Sequence, residues 1–460
     1  MTAANKAKAA KVRTDRASIK LPPGPKSNTP GGQLVAMTRD PLKFLMKTAA
    51  EYGQIAHFML GPQHTVFVND PEHIENVLVA HDWNFVKGRG LKRARRVLGR
   101  GLLTSEGNFH RRQRRLAQPA FHKQRIAGYA AVMTEYADRT ANRWSGGETV
   151  DIAQEMMRLT LAIVAKTLFD ADVESEAGEI GQALTDVLKM FETFSSPLTD
   201  ILDKLPTPAN RRIARARQRL DDTIYRIIED RRESGEDRGD LLSMLLMAQD
   251  EEGSGGMSDE QLRDELMTLF LAGHETTANA LAWTWYLLSQ NPEVEARLHT
   301  ELDQVLDGRV PSFEDTPRLD YTERVLTESM RSYPPVWVMG RRAVGSYKVG
   351  EYTIPAGSIV LLSQYVMHHD EHYYPEPFKF DPERWTPEAR ATRPKYSYFP
   401  FGGGPRLCIG EQFAWTEGIL IIATLARRWK LRTVSSQPVQ LQPLITLRPK
   451  NGIRMAVEPR

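Results

Sequence analysis

The sequence predicts a mainly α-helical fold with a small β lobe, built as one large unit, and three observations lead there. Most of residues 105–300 place apolar side chains at helical spacing. Between 341 and 366 the pattern shortens to strand-like segments, Tyr347–Val349, Tyr352–Ile354 and Ser358–Leu362, punctuated by Gly350 and Pro355-Ala356-Gly357. One helix, opening at Ser258 and running to about Gln290, is long enough to cross a domain of this size: at ~1.5 Å per residue it reaches roughly 48 Å.

The elements follow in chain order. Residues 1–20, rich in Ala, Lys and Arg, read as disordered, leaving 21–460 as the folded domain. They hold no apolar run long enough for a signal peptide or membrane anchor, and no later segment reads as a span, so a soluble cytoplasmic chain is expected. Leu21-Pro22-Pro23-Gly24-Pro25 is a stiff, non-helical entry. Pro41–Tyr52 reads as a helix, and Ile55–Leu60 and Thr65–Asn69 as strands around Gly61-Pro62. The helical region is interrupted by charged breaks near 231–240 and 250–257. The long helix has a capping-box start, Ser258-Asp259-Glu260-Gln261, and stops at Asn291-Pro292. Residues 376–400 are proline-rich and irregular. A last helix occupies the apolar run Ile409 to Leu425, and short strands complete the chain.

With 41% hydrophobic residues the chain can bury a sizeable core, and its single cysteine excludes an internal disulfide, which suits a reducing compartment. The net charge of +3 gives no global signal for nucleic acid. The charge is unevenly spread: Lys87 to Arg125 holds 13 Lys/Arg and one acid, Glu106, so this tract is +12 and the remainder −9. A basic tract is ordinarily a solvated face; here it is also expected to meet an acidic partner or an anionic ligand.

The single cysteine stands in Phe401-Gly402-Gly403-Gly404-Pro405-Arg406-Leu407-Cys408-Ile409-Gly410. A lone cysteine is ordinarily a small buried hydrophobe, and a glycine triplet can be a plain turn. A phosphate loop is excluded because no Gly-Lys-Ser/Thr follows. Glycines let the backbone approach a flat ligand, and backbone N–H groups at a helix start favour an anion. A thiol placed there is expected to be held as thiolate, the axial haem ligand of oxygen-activating enzymes. The segment resembles the haem-binding signature of the cytochrome P450 family, Phe-Gly-x-Gly-x-Arg-x-Cys-x-Gly, at every specified position.

The resemblance implies the single haem-thiolate fold of that family over about residues 20–455, with the long helix as its oxygen-activation helix. It implies haem b ligated by the Cys408 thiolate, with Phe401, Gly404, Arg406 and Gly410 around it. In the middle of the long helix, Ala272-Gly273-His274-Glu275-Thr276-Thr277 puts glycine, a charge and two threonines where a buried helix centre disfavours them. Glycine allows a ligand to approach, threonine can bond a carbonyl of the preceding turn, and a hydroxyl beside a carboxylate makes a short proton path. The stretch is similar to the family's acid–alcohol motif: Ala272 lies at the haem, Thr276 hydrogen-bonds dioxygen, and Glu275 belongs to a solvent proton relay. His274 receives no catalytic role.

Glu328 and Arg331, at i and i+3, share a helix face. With Tyr333-Pro334-Pro335 and Asp381-Pro382-Glu383-Arg384-Trp385 following, they look like the family's Glu-x-x-Arg with its partner arginine, so Glu328, Arg331 and Arg384 are expected as a buried ionic scaffold behind the cysteine loop. Propionates need cations. The resemblance offers Arg406; Arg341, with Arg342 as its rival; and His110 and Arg114, which at i and i+4 share a face, while Arg111 and Arg112 are left as solvated arginines.

The family builds its pocket from segments that here are Trp83–Leu103, Phe191–Leu198, Phe270–Thr277, Val336–Met339 and Leu444–Leu447. Their apolar character implies a fatty acid, alkane or terpenoid-like substrate. The haem fold uses about 400 residues, which leaves no flavin or iron–sulfur domain. Electrons from NAD(P)H must therefore come through a separate ferredoxin or flavodoxin with its reductase, docking on the basic surface of Arg111, Arg112, Arg115 and Lys123. A monomer is expected. The rival functions are a peroxide-driven peroxygenase, whose members usually lose the acid–alcohol pair that this chain keeps, and a non-catalytic haem sensor or carrier, which needs no proton relay.

Overall fold

The computed structural model describes residues 20–27, 31–172, 177–188, 205–247 and 257–460. The expected disorder of residues 1–19, most of the break at 250–257 and the pocket segment Phe191–Leu198 lie outside the described residues. Lys20 is already tied down: its carbonyl accepts from the Thr353 amide at 2.9 Å and its ammonium pairs with Glu351. The proline-rich entry runs along the first strand, where the His57 amide donates to the Pro23 carbonyl at 2.9 Å. Gly24 is needed for that approach, because a Cβ there would lie 1.9 Å from the His57 carbonyl oxygen.

The helix Pro41–Tyr52 forms as expected, capped by the Asp40 side chain accepting from Lys43 N. The strands are Ile55–Leu60 and Gln63–Val68. The second begins two residues earlier than the sequence pattern suggests, because Gly61 and Pro62 turn so tightly that Leu60 pairs with Gln63. Gln63–Val68 then pairs in parallel with Ile359–Leu362, which pairs antiparallel with Met339–Ala343. Phe85–Lys87 closes the five-stranded sheet and sets Lys87 directly opposite Arg341. The hairpin Tyr347–Val349 with Tyr352–Ile354 stands apart.

The helical body surrounds the central helix, Asp259–Gln290. Its capping box is complete, with Gln261 N donating to Ser258 Oγ at 3.2 Å and the Gln261 side chain returning to the Ser258 amide. It is buried nearly all round, and Trp283 and Trp285 are wholly buried, as suits a helix enclosed by others. It packs on Ile152–Phe169 and on the final helix, Glu411–Ala426. Gly273 belongs to the first of these contacts. A Cβ there would lie 2.9 Å from a Val164 methyl, so helix packing requires this glycine. The helix Pro208–Ser234 continues into the expected break, because Arg231 is buried and fully engaged, bonding Asp240 through both amino groups at 2.7 Å and the Phe169 carbonyl at 3.0 Å.

At the C-terminus, Trp429–Thr433, Arg454–Pro459 and Thr149–Asp151 form a three-stranded sheet. The hairpin Leu441–Pro443 with Leu447–Pro449 returns to the central helix, where Trp283 Nε1 donates to the Leu447 carbonyl at 2.9 Å. Among the described residues, no helix is long and apolar enough to cross a membrane.

Candidate active site

The cysteine loop is shaped by backbone geometry. Gly402 and Gly404 hold φ of 75° and 65°, and a Cβ on Gly404 would lie 2.0 Å from the Leu78 carbonyl oxygen. The Leu407 amide donates to the Gly404 carbonyl at 3.0 Å and the Cys408 amide to the Phe401 carbonyl at 3.1 Å. The Phe401 ring lies 5.6 Å from that of Trp415. Arg114 braces the loop, with Nη1 donating to the Leu407 carbonyl at 2.7 Å.

Cys408 lies deep inside the molecule yet keeps one side accessible, so protein surrounds it without covering it. Burial pushes its thiol up to about 11, and the Gly410 amide and Arg114 recover only part of that. Burial thus works against the thiolate expected at this position. Desolvation outweighs the helix start and the nearby cation, and a bound metal must supply the remainder, since coordination deprotonates a thiol outright.

Beside the loop, cations converge. Lys87 and Arg341 are cross-strand partners, so their side chains share a sheet face where like charges repel. Burial, helped by Arg406, lowers Lys87 to about 7 and Arg341 to about 10, with Glu106 opposing both shifts. The buried His110, on the helix Gly107–Ala117, is held near 3 by burial and then by Arg406, Lys87 and Arg114. Glu106 opposes the shifts of Lys87 and Arg341, and Asp82 joins it beside Arg406. Glu106 pairs with Arg406, whose Nη1 also donates to the Ser105 carbonyl at 2.9 Å, and accepts from the Lys87 amide at 2.7 Å. Arg341 thus faces the cluster, and Arg342, next along the strand, points to the other side. Lys87 and Glu106 were read only as parts of a basic tract; strand pairing, which no local motif reports, brings them here.

On the central helix, Ala272, Gly273 and Thr276 are accessible while most of their neighbours are buried. Thr276 Oγ1 donates to the Ala272 carbonyl at 2.7 Å. Glu275 turns to another side, where Oε1 accepts from the Thr446 hydroxyl and from Arg448 Nε at 2.6 Å. The short acid–alcohol path is therefore not formed within this pair: successive helical side chains diverge by about 100°. Two aromatics of the expected pocket segments are core, with Phe270 stacked on Phe169 at 4.7 Å and Trp337 bonded to the Leu444 carbonyl at 2.8 Å. Glu417, unremarked in the sequence, is wholly buried on the final helix. Burial pushes it up to about 8, and the Thr277 hydroxyl offsets only part.

Behind the loop, Glu328 and Arg331 are both fully buried and joined by two bonds of 2.8 and 2.9 Å. Glu328 also accepts from the Asp381 amide at 3.0 Å and from Trp385 Nε1 at 2.8 Å, with Arg384 Nε at 3.4 Å. Arg331 reaches the carbonyls of His368 and Pro377, each at 2.8 Å. The network meets the loop through His368 Nε2, which accepts from the Phe399 amide at 3.2 Å.

These residues fit a flat, dianionic, metal-bearing ligand. An accessible sulfur lies deep in the protein, and the cation cluster beside it, Lys87, Arg114, Arg341 and Arg406, outnumbers the acids Glu106 and Asp82. That combination defines a haem protein of mostly helical fold. The family model for cytochrome P450 matches residues 22–455. Cyclooctatin synthase of Streptomyces melanosporofaciens is 42% identical, over 93% of this chain and 94% of its own. Cyclooctat-9-en-7-ol 5-monooxygenase of the same organism is 40% identical over 88% of each. The heme domain of cytochrome P450DA superimposes with a TM-score of 0.85 at 28% identity, covering 96% of this chain and 98% of that one. The chain belongs to the cytochrome P450 family, and it is a monooxygenase whose cofactor is haem.

Proposed function

We propose that this enzyme inserts one atom of O2 into an apolar, terpenoid-like substrate. One substrate C–H, O2, two electrons and two protons give the alcohol and water. Electrons come from NAD(P)H through a ferredoxin or flavodoxin and its reductase. The observation that carries the reading is the accessible Cys408 sulfur, deep in the protein and beside the buried cations. The relative acting on cyclooctat-9-en-7-ol, by name an alkene and alcohol, favours terpenoid-like among the apolar classes.

Cys408 would ligate the haem iron as thiolate, and haem when bound supplies oxygen activation. Lys87, His110, Arg341 and Arg406 would hold the propionates, His110 as a neutral donor, with Arg406 giving up part of its hold on Glu106. Arg114 fixes the loop through Leu407, and Phe401, Gly404 and Gly410 set its path. Glu328, Arg331 and Arg384 keep the loop's support rigid. On the substrate side, Ala272 leaves room at the helix surface, Thr276 Oγ1 holds a proton near the reacting oxygen, and Glu275 relays protons from solvent.

The test is turnover of a cyclic terpenoid panel with ferredoxin, reductase and isotopically labelled O2. Labelled alcohol formed only with the electron donor supports the reading. Product from hydrogen peroxide alone, with none from the donor system, would replace it with a peroxygenase.

A further inference from the structure

Glu275 is held by a device that the acid–alcohol pair does not include. Thr446 and Arg448 both donate to its Oε1, and both come from the C-terminal hairpin. The hairpin is fastened along one stripe of the central helix, at Glu275, Asn279 and Trp283. Asn279 Nδ2 donates to Thr446 Oγ1 at 3.3 Å, and Trp283 donates to the Leu447 carbonyl at 2.9 Å. Residues four apart stack on one helix face, so the hairpin lies along that face. Its other side is anchored by the Leu447 amide donating to the Pro335 carbonyl at 2.9 Å.

The clamp is specific in its geometry. Two donors from the hairpin converge on the single oxygen Oε1 and fix the carboxylate against the hairpin. It also costs stability: Arg448 Nη2 is buried without a hydrogen-bond partner, and an unsatisfied buried donor is unfavourable. An apolar side chain there would leave the buried Glu275 carboxylate without its cation, so the arginine is matched to Glu275 and packing alone does not account for it.

We infer that Arg448, with Thr446, is a positioning residue for proton delivery: it fixes where the Glu275 carboxyl stands beside the helix, and so the route by which its protons reach the accessible face at Thr276. The inference rests on the reading of Glu275 as the relay acid. No electrons move in this step; the two protons come from solvent and end in the product water, while the hydrogen of the new hydroxyl comes from the substrate C–H bond.

The experiment compares wild type, Glu275→Gln, Arg448→Gln, Arg448→Lys and the Glu275→Gln/Arg448→Gln double variant as haem-loaded enzymes with ferredoxin and reductase. Product per NAD(P)H and the solvent deuterium effect on turnover are measured. Substrate affinity comes from the haem spin-state shift, and thermal midpoints are recorded alongside. Arg448→Gln should lower product yield several-fold and raise the solvent isotope effect, with unchanged substrate affinity. Lysine should restore part of the loss, and the double variant should be no worse than Glu275→Gln. The midpoints should be non-additive across the cycle, a readout of the pair that does not depend on turnover. A defect in Glu275→Gln beside wild-type coupling in Arg448→Gln, or additive midpoints, overturns the inference alone. Wild-type coupling in Glu275→Gln overturns the relay reading beneath it.

Discussion

Glu328 shows how much can rest on one side chain. It accepts from Arg331, Trp385 and the Asp381 backbone while wholly buried. Removing one partner from a buried ion pair strands the other charge, at about 3–5 kcal/mol. Glu328→Gln should therefore depress the thermal midpoint by many degrees and yield little haem-loaded protein, and a midpoint within a degree of wild type would contradict the scaffold role. Thr276 should behave oppositely. Its hydroxyl rests on Ala272 and faces the accessible side, so Thr276→Ala should fold and bind substrate normally yet consume NAD(P)H while releasing peroxide in place of product. Unchanged coupling would pass the role to Thr277 or to water. His369 gives a pH dependence. Burial and then Arg331 hold it near 3, against an ordinary 6.5, so the unfolded chain binds the extra proton between those values. The stability it contributes is whole above about pH 6.5 and is lost as the pH falls toward 3. The midpoint of His369→Gln should accordingly fall less than that of wild type between about pH 7 and pH 4.5; parallel curves would contradict this.

At the scale of elements, what could be read from the sequence was what local chemistry specifies. The central helix announced itself through Ser258 and Gln261 at one end and Asn291-Pro292 at the other, because caps and breakers act within a few residues. The cysteine loop did so through glycines whose positive φ admits little else. Pairings between distant elements were not legible: Lys87 meets Arg341, and Arg448 meets Glu275, only through tertiary contacts. The depth of Cys408 was not legible for the same reason, being a property of the packed molecule. The helix Gly107–Ala117 carries a prediction of its own. Arg111 and Arg115 are exposed on it, and Lys123 opens the next helix, also exposed. If this face steers an acidic electron donor, Arg111→Glu with Arg115→Glu should slow donor-dependent reduction several-fold at low salt. The defect should shrink as salt rises, because exposed charges are screened beyond about 8 Å at physiological ionic strength. A rate untouched at every salt would place docking elsewhere.

At the scale of the molecule, the uneven charge of the sequence acquires two uses. Part of the basic tract turns inward, where Lys87, His110 and Arg114 join Arg341 and Arg406 around the cysteine loop. Part turns outward on the helix that carries Arg111 and Arg115. The sheet lobe and the helical body meet at this cluster, so haem binding would join the two parts through opposite charges. The central claim is that Cys408 is the haem ligand, held as thiolate. The most direct measurement is the spectrum of the reduced carbon monoxide complex of wild type and Cys408→Ala. The wild-type enzyme should give the red-shifted band of thiolate ligation, and Cys408→Ala should bind haem poorly and lack it. The same band in both proteins, or an imidazole-type spectrum in wild type, would contradict the account.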